Sequence, residues 1–203
     1  MNTLKALRGA LSLPRVYVLF QRAVWGRAER ELVRRHIQPS EGLRVLDIGC
    51  GPADILRLMP RVTYVGFDHS ARYVDWARRR FGNRGEFRLA DVDSSPSFEA
   101  AAYDVVLAKG VLHHVDDPEA ERLFRIAHGA LRPGGRLITT DGCHHPDQPA
   151  LHRKVTSMDR GQFIRTPDAY RRLGEPYFSQ ASVHLRDDLL RIPYSVAIGV
   201  YTR

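Results

Sequence analysis

The chain has 203 residues, 43% apolar and 27% charged, with a formal net charge of +8. That length suits one domain with a sizeable core, and the composition is that of an ordinary globular protein. No run of 18 apolar residues occurs, so no spanning helix is expected. The two cysteines, Cys50 and Cys143, give no disulfide framework and point to a reducing, cytoplasmic setting.

The charge is uneven. Residues 1–36 hold eight basic and two acidic side chains, a net of +6, which leaves only +2 for the rest. Helical spacing is predicted over 2–11 and 15–36, the second stretch with Tyr17, Phe20, Val24 and Ala28 in register. Without interleaved aromatic residues, the basic excess reads as a solvated face, and nucleic acid is not an expected partner. Leu4, Leu7 and Leu11 share one face, so peripheral contact with an anionic membrane surface is a further reading. Pro14 and Arg15 interrupt the apolar run that a signal peptide needs.

Beyond this arm, short oily runs alternate with helical patterns. Strands are predicted at Arg44–Ile48, Thr63–Phe67, Glu86–Leu89, Asp104–Ala108 and Arg136–Thr140. Helical segments are predicted near Ala53–Met59, Ala71–Phe81, Ser97–Ala101 and Pro118–Leu131. Such alternation with short turns argues a parallel sheet covered on both faces. From Asp141 to Arg165 the pattern lapses, apart from one helical turn near Ala150–Val155, and a connection of that length is usually a lid or binding loop. A helix follows, with Thr166 as N-cap and Pro167 at its first position. Two strand-like runs, Phe178–Leu185 and Tyr194–Tyr201, close the chain. The organisation expected is a helical arm, 1–36, on a single domain, 37–203.

The stretch VLDIGCGPADIL passes from strand to helix through Gly49 and Gly51, where free amides and a helix start favour a polar ligand. A dinucleotide turn wants a third small residue where this chain has Asp54, and a carboxylate there would repel a diphosphate. Asp47, before the first glycine, suits a ligand bearing an ammonium group. The second strand ends at Asp68, placed to accept from ribose hydroxyls. The third ends at Asp91, placed to accept from an adenine amine. Amine, ribose and adenine together describe S-adenosylmethionine.

At these residues the chain resembles the class I S-adenosylmethionine-dependent methyltransferases. The resemblance rests on VLDIGCG (Val45–Gly51), VGFDHS (Val65–Ser70), LADVDS (Leu89–Ser94), YDVVLAKGVLHHVDD (Tyr103–Asp117) and LRPGGRLITTD (Leu131–Asp141), five blocks in the family's order. It implies a Rossmann-like α/β fold: a seven-stranded, mostly parallel sheet with its last strand antiparallel and helices on both faces. It also implies that Asp47, Gly49 and Gly51 border the methionine part of the cofactor. Asp68, with His69 next to it, would border the ribose; Asp91 and Val92 the adenine; and the backbone of Ala108 and Lys109 the amino group. Ala53 stands where the family often has glycine, and is expected to keep helical φ. Lys109 puts a charge where a small or neutral residue is common.

In open α/β sheets ligands sit beyond the carboxyl ends of the strands, where His113–His114 and His144–His145 fall. Methyl transfer is an in-line displacement, so the protein mainly positions the nucleophile, and for a hydroxyl acceptor a histidine of near-neutral pKa suits the role of base. His114 and His144 lead these four catalytic candidates. A metal site from Asp141, His144 and His145 would draw every ligand from one loop without a known spacing, and no metal is expected. Tyr17, Phe20, Trp25 and Arg165 are the predicted substrate contacts, with Tyr170 near them. The expected reaction is O- or N-methylation of a small molecule. A lipid or quinone acceptor at a membrane, an RNA acceptor, and a cofactor-binding protein that transfers no methyl are the alternatives.

Overall fold

A computed structural model describes residues 14–92 and 98–203, with the backbone alone for Pro14 and Phe20. The predicted helix 2–11, Phe20's side chain and residues 93–97 thus lie outside the described residues. Helix α1 (Pro14–Leu32) continues into a π-helical turn (Val33–Ile37) that closes on Gln38 at φ 54. Strand β1 (Arg44–Ile48) leads through the glycine turn to a 3-10 turn (Asp54–Leu58). Then come β2 (Thr63–Asp68), α2 (Ala71–Phe81), β3 (Glu86–Leu89), β4 (Tyr103–Lys109), α3 (Asp117–Ala130) and β5 (Leu131–Gly142). The chain ends with α4 (Ala150–Thr156), α5 (Pro167–Gly174), β6 (Gln180–Arg186) and β7 (Val196–Thr202).

One sheet holds all seven strands in the order β3-β2-β1-β4-β5-β7-β6. Strands β1 to β5 pair in parallel, and β7 runs antiparallel to both β5 and β6. Because successive strand residues point to opposite faces, the sheet splits the interior in two. Val45, Val105 and Leu107 pack with Ala28, Leu32 and Ile37 on the α1 face. Leu46, Ile48, Val106 and Ala108 pack with Leu123, Phe124 and Ala127 on the α3 face. Asp47 shares the α1 face with Val45. No helix among the described residues is long and apolar enough to cross a membrane.

Local chemistry sets most boundaries. Helix α3 starts at a capping box, in which the Asp116 carboxylate accepts from the Glu119 amide and the Glu119 side chain accepts from the Asp116 amide. Thr166 caps α5 by accepting from the Ala169 amide at 3.2 Å. Two expectations change. Residues 98–101 are not helical, and Ala101 there has φ 52, which breaks helical continuity. Strand β5 starts five residues earlier than predicted, since Leu131 already pairs with Tyr103 across a register shift that absorbs the Pro133–Gly134–Gly135 kink.

Candidate active site

The glycine turn leaves β1 at its carboxyl end, in the crevice between β1, β2 and β4. Gly49 has φ +68, and a Cβ there would stand 2.7 Å from Val111 Cγ2, so no other residue fits without displacing β4's exit loop. Gly51, at φ +54, has nothing within 4 Å of where a Cβ would point. Ala53 departs from its expected helical φ. It sits left-handed at φ 54, because the backbone reverses here to send the Ala53 amide to the Cys50 carbonyl at 3.0 Å before the 3-10 turn. A non-glycine residue so placed stores strain of about 1 kcal/mol.

Asp47 is 2% exposed. Its Oδ2 accepts from the Tyr64 hydroxyl at 2.6 Å, while its Oδ1 is buried with no hydrogen-bond partner. Burial pushes this carboxyl up to about 6, against the pull of the Tyr64 hydroxyl and the Lys109 ammonium. Asp68 accepts from the Gly51 amide at 2.9 Å and the Ser70 amide at 2.8 Å, tying the turn to the end of β2. The exposed His69 ring lies 3.9 Å from Asp68 Oδ1. Asp91 is exposed just beyond β3, with Val92 half-buried beside it. Ala108 is buried at the end of β4.

Helix α1 covers this turn through charge. Arg22 donates to both Asp54 carboxylate oxygens, at 2.8 and 2.5 Å, and Arg57 bridges Asp54 at 2.9 Å to Glu29 at 3.1 Å. Glu29, only 2% exposed, also pairs closely with the Lys109 ammonium. Burial pulls the Lys109 pKa down, and Glu29 more than restores it, so the net direction is up. The charge that Lys109 brings to the cofactor turn is therefore neutralised from α1. The two arginines around it hold Asp54 below the usual carboxylate range despite its burial. The space left between α1 and the turn is about 40 Å³, bounded by Tyr17, Gln21, Glu29, Gly49, Gly51 and Lys109.

The four candidate histidines separate into two places. His113 and His114 stay together past the end of β4, ring centroids 4.1 Å apart. His113 is buried, and its Nδ1 donates to Asp141 Oδ1 at 2.8 Å. Burial lowers the His113 pKa and the Asp141 carboxylate outweighs it, for a net rise. His114 is exposed at its residue level, yet partial burial and the neighbouring His113 hold its pKa below the ordinary value. His144 instead faces Gln148 Oε1 at 3.1 Å, and His145 is buried with its Nε2 3.4 Å from Asp187. Asp141 thus joins His113 and not the His144–His145 pair, because it ends β5 beside β4 while the loop turns away after Gly142.

Of the predicted substrate contacts, Tyr17 borders the cofactor turn, and Trp25 packs on Tyr194 with centroids 6.2 Å apart. Arg165 does something else. It donates to the carbonyls of Leu112 (2.5 Å), Val115 (2.9 Å) and Phe163 (3.1 Å) and to Asp117, a clamp on the loop before α3. Tyr170 is fully buried and donates to the Gly142 carbonyl at 2.9 Å. The groove of about 480 Å³ beside Arg165, lined also by Phe163, Arg172 and Tyr177, includes no residue of the glycine turn. Glu29, Tyr64 and Asp159 carried no sequence signal, since each acts through partners distant in the chain.

A methyltransferase-domain family model matches residues 45–135, and the ubiquinone biosynthesis O-methyltransferase of Methylocella silvestris is 35% identical over 128 residues. Residues 45–135 thus match a methyltransferase domain. That relative is matched over 54% of this chain and 48% of its own length, so the chain spans about half of it. Among solved structures with the methyltransferase fold, a Haemonchus contortus phosphoethanolamine N-methyltransferase in complex with S-adenosylhomocysteine superposes with TM-score 0.70. It is 16% identical and covers 87% of this chain and 52% of its own. The [4+2]-cyclase SpnF superposes with TM-score 0.69 at 17% identity, over 87% of this chain and 80% of its own.

The residues present fit S-adenosylmethionine. Asp47 offers a buried, unpartnered carboxylate oxygen at the turn, which is what a ligand ammonium requires. Gly51 leaves open space above its Cα. The gap of about 40 Å³ under α1 places the side chains of α1 directly over the glycine turn.

Proposed function

We propose that the protein transfers a methyl group from S-adenosylmethionine to oxygen or nitrogen of a small-molecule acceptor, by in-line displacement at the carboxyl ends of β4 and β5. The observation that carries this reading is Asp47: a buried carboxylate with one oxygen unmatched, at the end of β1 beside the glycine turn and the sheet's switch point. When bound, the cofactor supplies an electrophilic methyl on a sulfonium. Asp47 pairs with its ammonium, Asp68 accepts from the ribose, and Asp91 with the backbone of Val92 borders the adenine. Helix α1 then excludes water from the crevice and brings Tyr17 and Trp25 to the acceptor side. His113, His114 and Asp159 orient the acceptor. A ubiquinone-pathway relative and a phosphoethanolamine-methylating neighbour support a small acceptor.

The test is calorimetric titration with S-adenosylmethionine, with NADH and Asp68→Ala as controls. Micromolar binding that the variant loses is the expected result; equal binding in the variant overturns the site. The same fold in a cyclase motivates a second reading, a cofactor-binding protein that transfers no methyl. Release of S-adenosylhomocysteine across an acceptor panel separates the two.

A further inference from the structure

We propose that His113, His114 and Asp159 form a binding site for a divalent transition-metal ion of the zinc class. The three residues offer ligand atoms that all lie within 4.8 Å of one another. His113 Nε2 and Asp159 Oδ1 are 3.5 Å apart, too far for a good hydrogen bond. Two ligands held at about 2.1 Å from one tetrahedral ion are about 3.4 Å apart. The separation therefore suits a shared ion better than a direct contact. His114, on the exposed side, closes the remaining gap by rotation about its own side-chain bonds.

The surroundings are organised as outer partners of a metal site are. His113 Nδ1 donates to Asp141, which leaves Nε2, on the side of Asp159, as the ring atom for an ion. Asp141 also takes the His113 backbone amide at 3.2 Å, so ring and backbone are fixed by one carboxylate. Its second oxygen is buried without a hydrogen-bond partner, so the carboxylate brings negative charge to the site from behind. Asp159 is fixed in turn, accepting from the Gly161 amide at 2.9 Å on Oδ1 and from the Tyr194 hydroxyl at 2.9 Å on Oδ2. Gly161 allows this approach, because a Cβ there would fall 2.3 Å from His113 Cδ2.

Two imidazoles and one carboxylate select zinc, cobalt, nickel or ferrous iron over magnesium or calcium, which prefer all-oxygen shells. Three protein ligands leave a coordination position open. On the reading of this end of the site as acceptor-facing, that position takes an acceptor oxygen and narrows the acceptor to hydroxyl or enol compounds.

The experiment uses the full chain, stripped with chelator and titrated with Zn2+ by calorimetry and with Co2+ by visible absorption. Expected are one ion per chain at micromolar affinity or tighter and the strong visible bands of low-coordinate cobalt. His114→Ala, at an exposed position that leaves the fold intact by circular dichroism, abolishes both, and Asp141→Asn weakens binding about 10- to 100-fold. No saturable binding, or binding unchanged in His114→Ala, overturns the site and points to the other histidines. S-adenosylmethionine titrated into the same samples keeps the two readings apart. Metal without cofactor binding refutes the methyltransferase reading alone, and cofactor without metal binding refutes the metal site alone.

Discussion

Replacing Asp47 by Asn separates what the carboxylate does for the fold from what it does for the ligand. In the folded protein burial holds this carboxyl at about 6 against an ordinary 3.8, a gap equivalent to about 3 kcal/mol. The sign follows from proton uptake. Between those values the folded state holds a proton that the unfolded chain has lost, so Asp47's contribution to stability falls as pH rises from about 4 to 6 and stays low above that. Asparagine keeps the shape, can still accept from the Tyr64 hydroxyl, and carries no charge to desolvate. Asp47→Asn is therefore expected to match the parent near pH 4 and exceed it by about 2–3 kcal/mol at pH 8. For a chain of this size that is a rise in Tm of about 4–10 °C. Urea unfolding of both proteins from pH 4 to 8, paired with S-adenosylmethionine titration at pH 8, measures it. The variant must gain stability and lose the cofactor together. A variant less stable at pH 8, or one that binds as the parent does, refutes the assignment of Asp47 as a seat kept for a cation.

The same carboxylate makes cofactor affinity pH-dependent: with ionisation at about 6, binding weakens about tenfold between pH 7 and pH 5, read by calorimetry in matched buffers. Arg22→Ala frees one side of the Asp54 pair that fastens α1 over the turn. Because Arg22 is partly solvated, the expected cost in stability is only about 0.5–1 kcal/mol. Cofactor affinity rises up to about fivefold if the fastened helix competes with entry, and weaker binding in the variant would exclude that competition. Arg165→Ala leaves the carbonyls of Leu112 and Val115 without their donors. An expected loss of about 2–4 kcal/mol in denaturant unfolding, with no specific change in acceptor KM, identifies it as a structural clamp.

Much of the fold is visible in the sequence because its signals are local. Val74, Ala77 and Phe81 recur at helical spacing between Ser70 and Gly82, and the helix occupies Ala71–Phe81. Thr166 and Pro167 mark α5 by hydrogen-bond chemistry that depends on no distant residue. The aspartates Asp47, Asp68 and Asp91 are recognisable because each sits at or just past the end of a strand whose oily run is plain. What escapes a linear reading is set by pairing across the chain. Glu29 looks like an ordinary acid in a basic helix, and only the meeting of α1 with β4, 80 residues on, gives it Lys109. Asp159 lies in a stretch without periodicity and reaches His113 because Gly161 permits the approach. Ala53 has a residue type that favours helical φ, and the reversal of the turn overrides it.

Besides the sheet and the glycine turn, helix α1 is bound to the end of β6 and to the connection between β6 and β7. Glu31 pairs with Arg186 at 2.5 Å across 155 residues, the Arg191 amide donates to the Val24 carbonyl, and Trp25 packs on Tyr194. During synthesis the glycine turn and its aspartates emerge long before residues 186–194. Loop closure over such a span is slow relative to the local pairing of β1 with β2. The contacts of α1 with residues 186–194 therefore close the longest loops in the roof over the crevice, and they complete a cover that Arg22–Asp54 and Glu29–Arg57 begin locally.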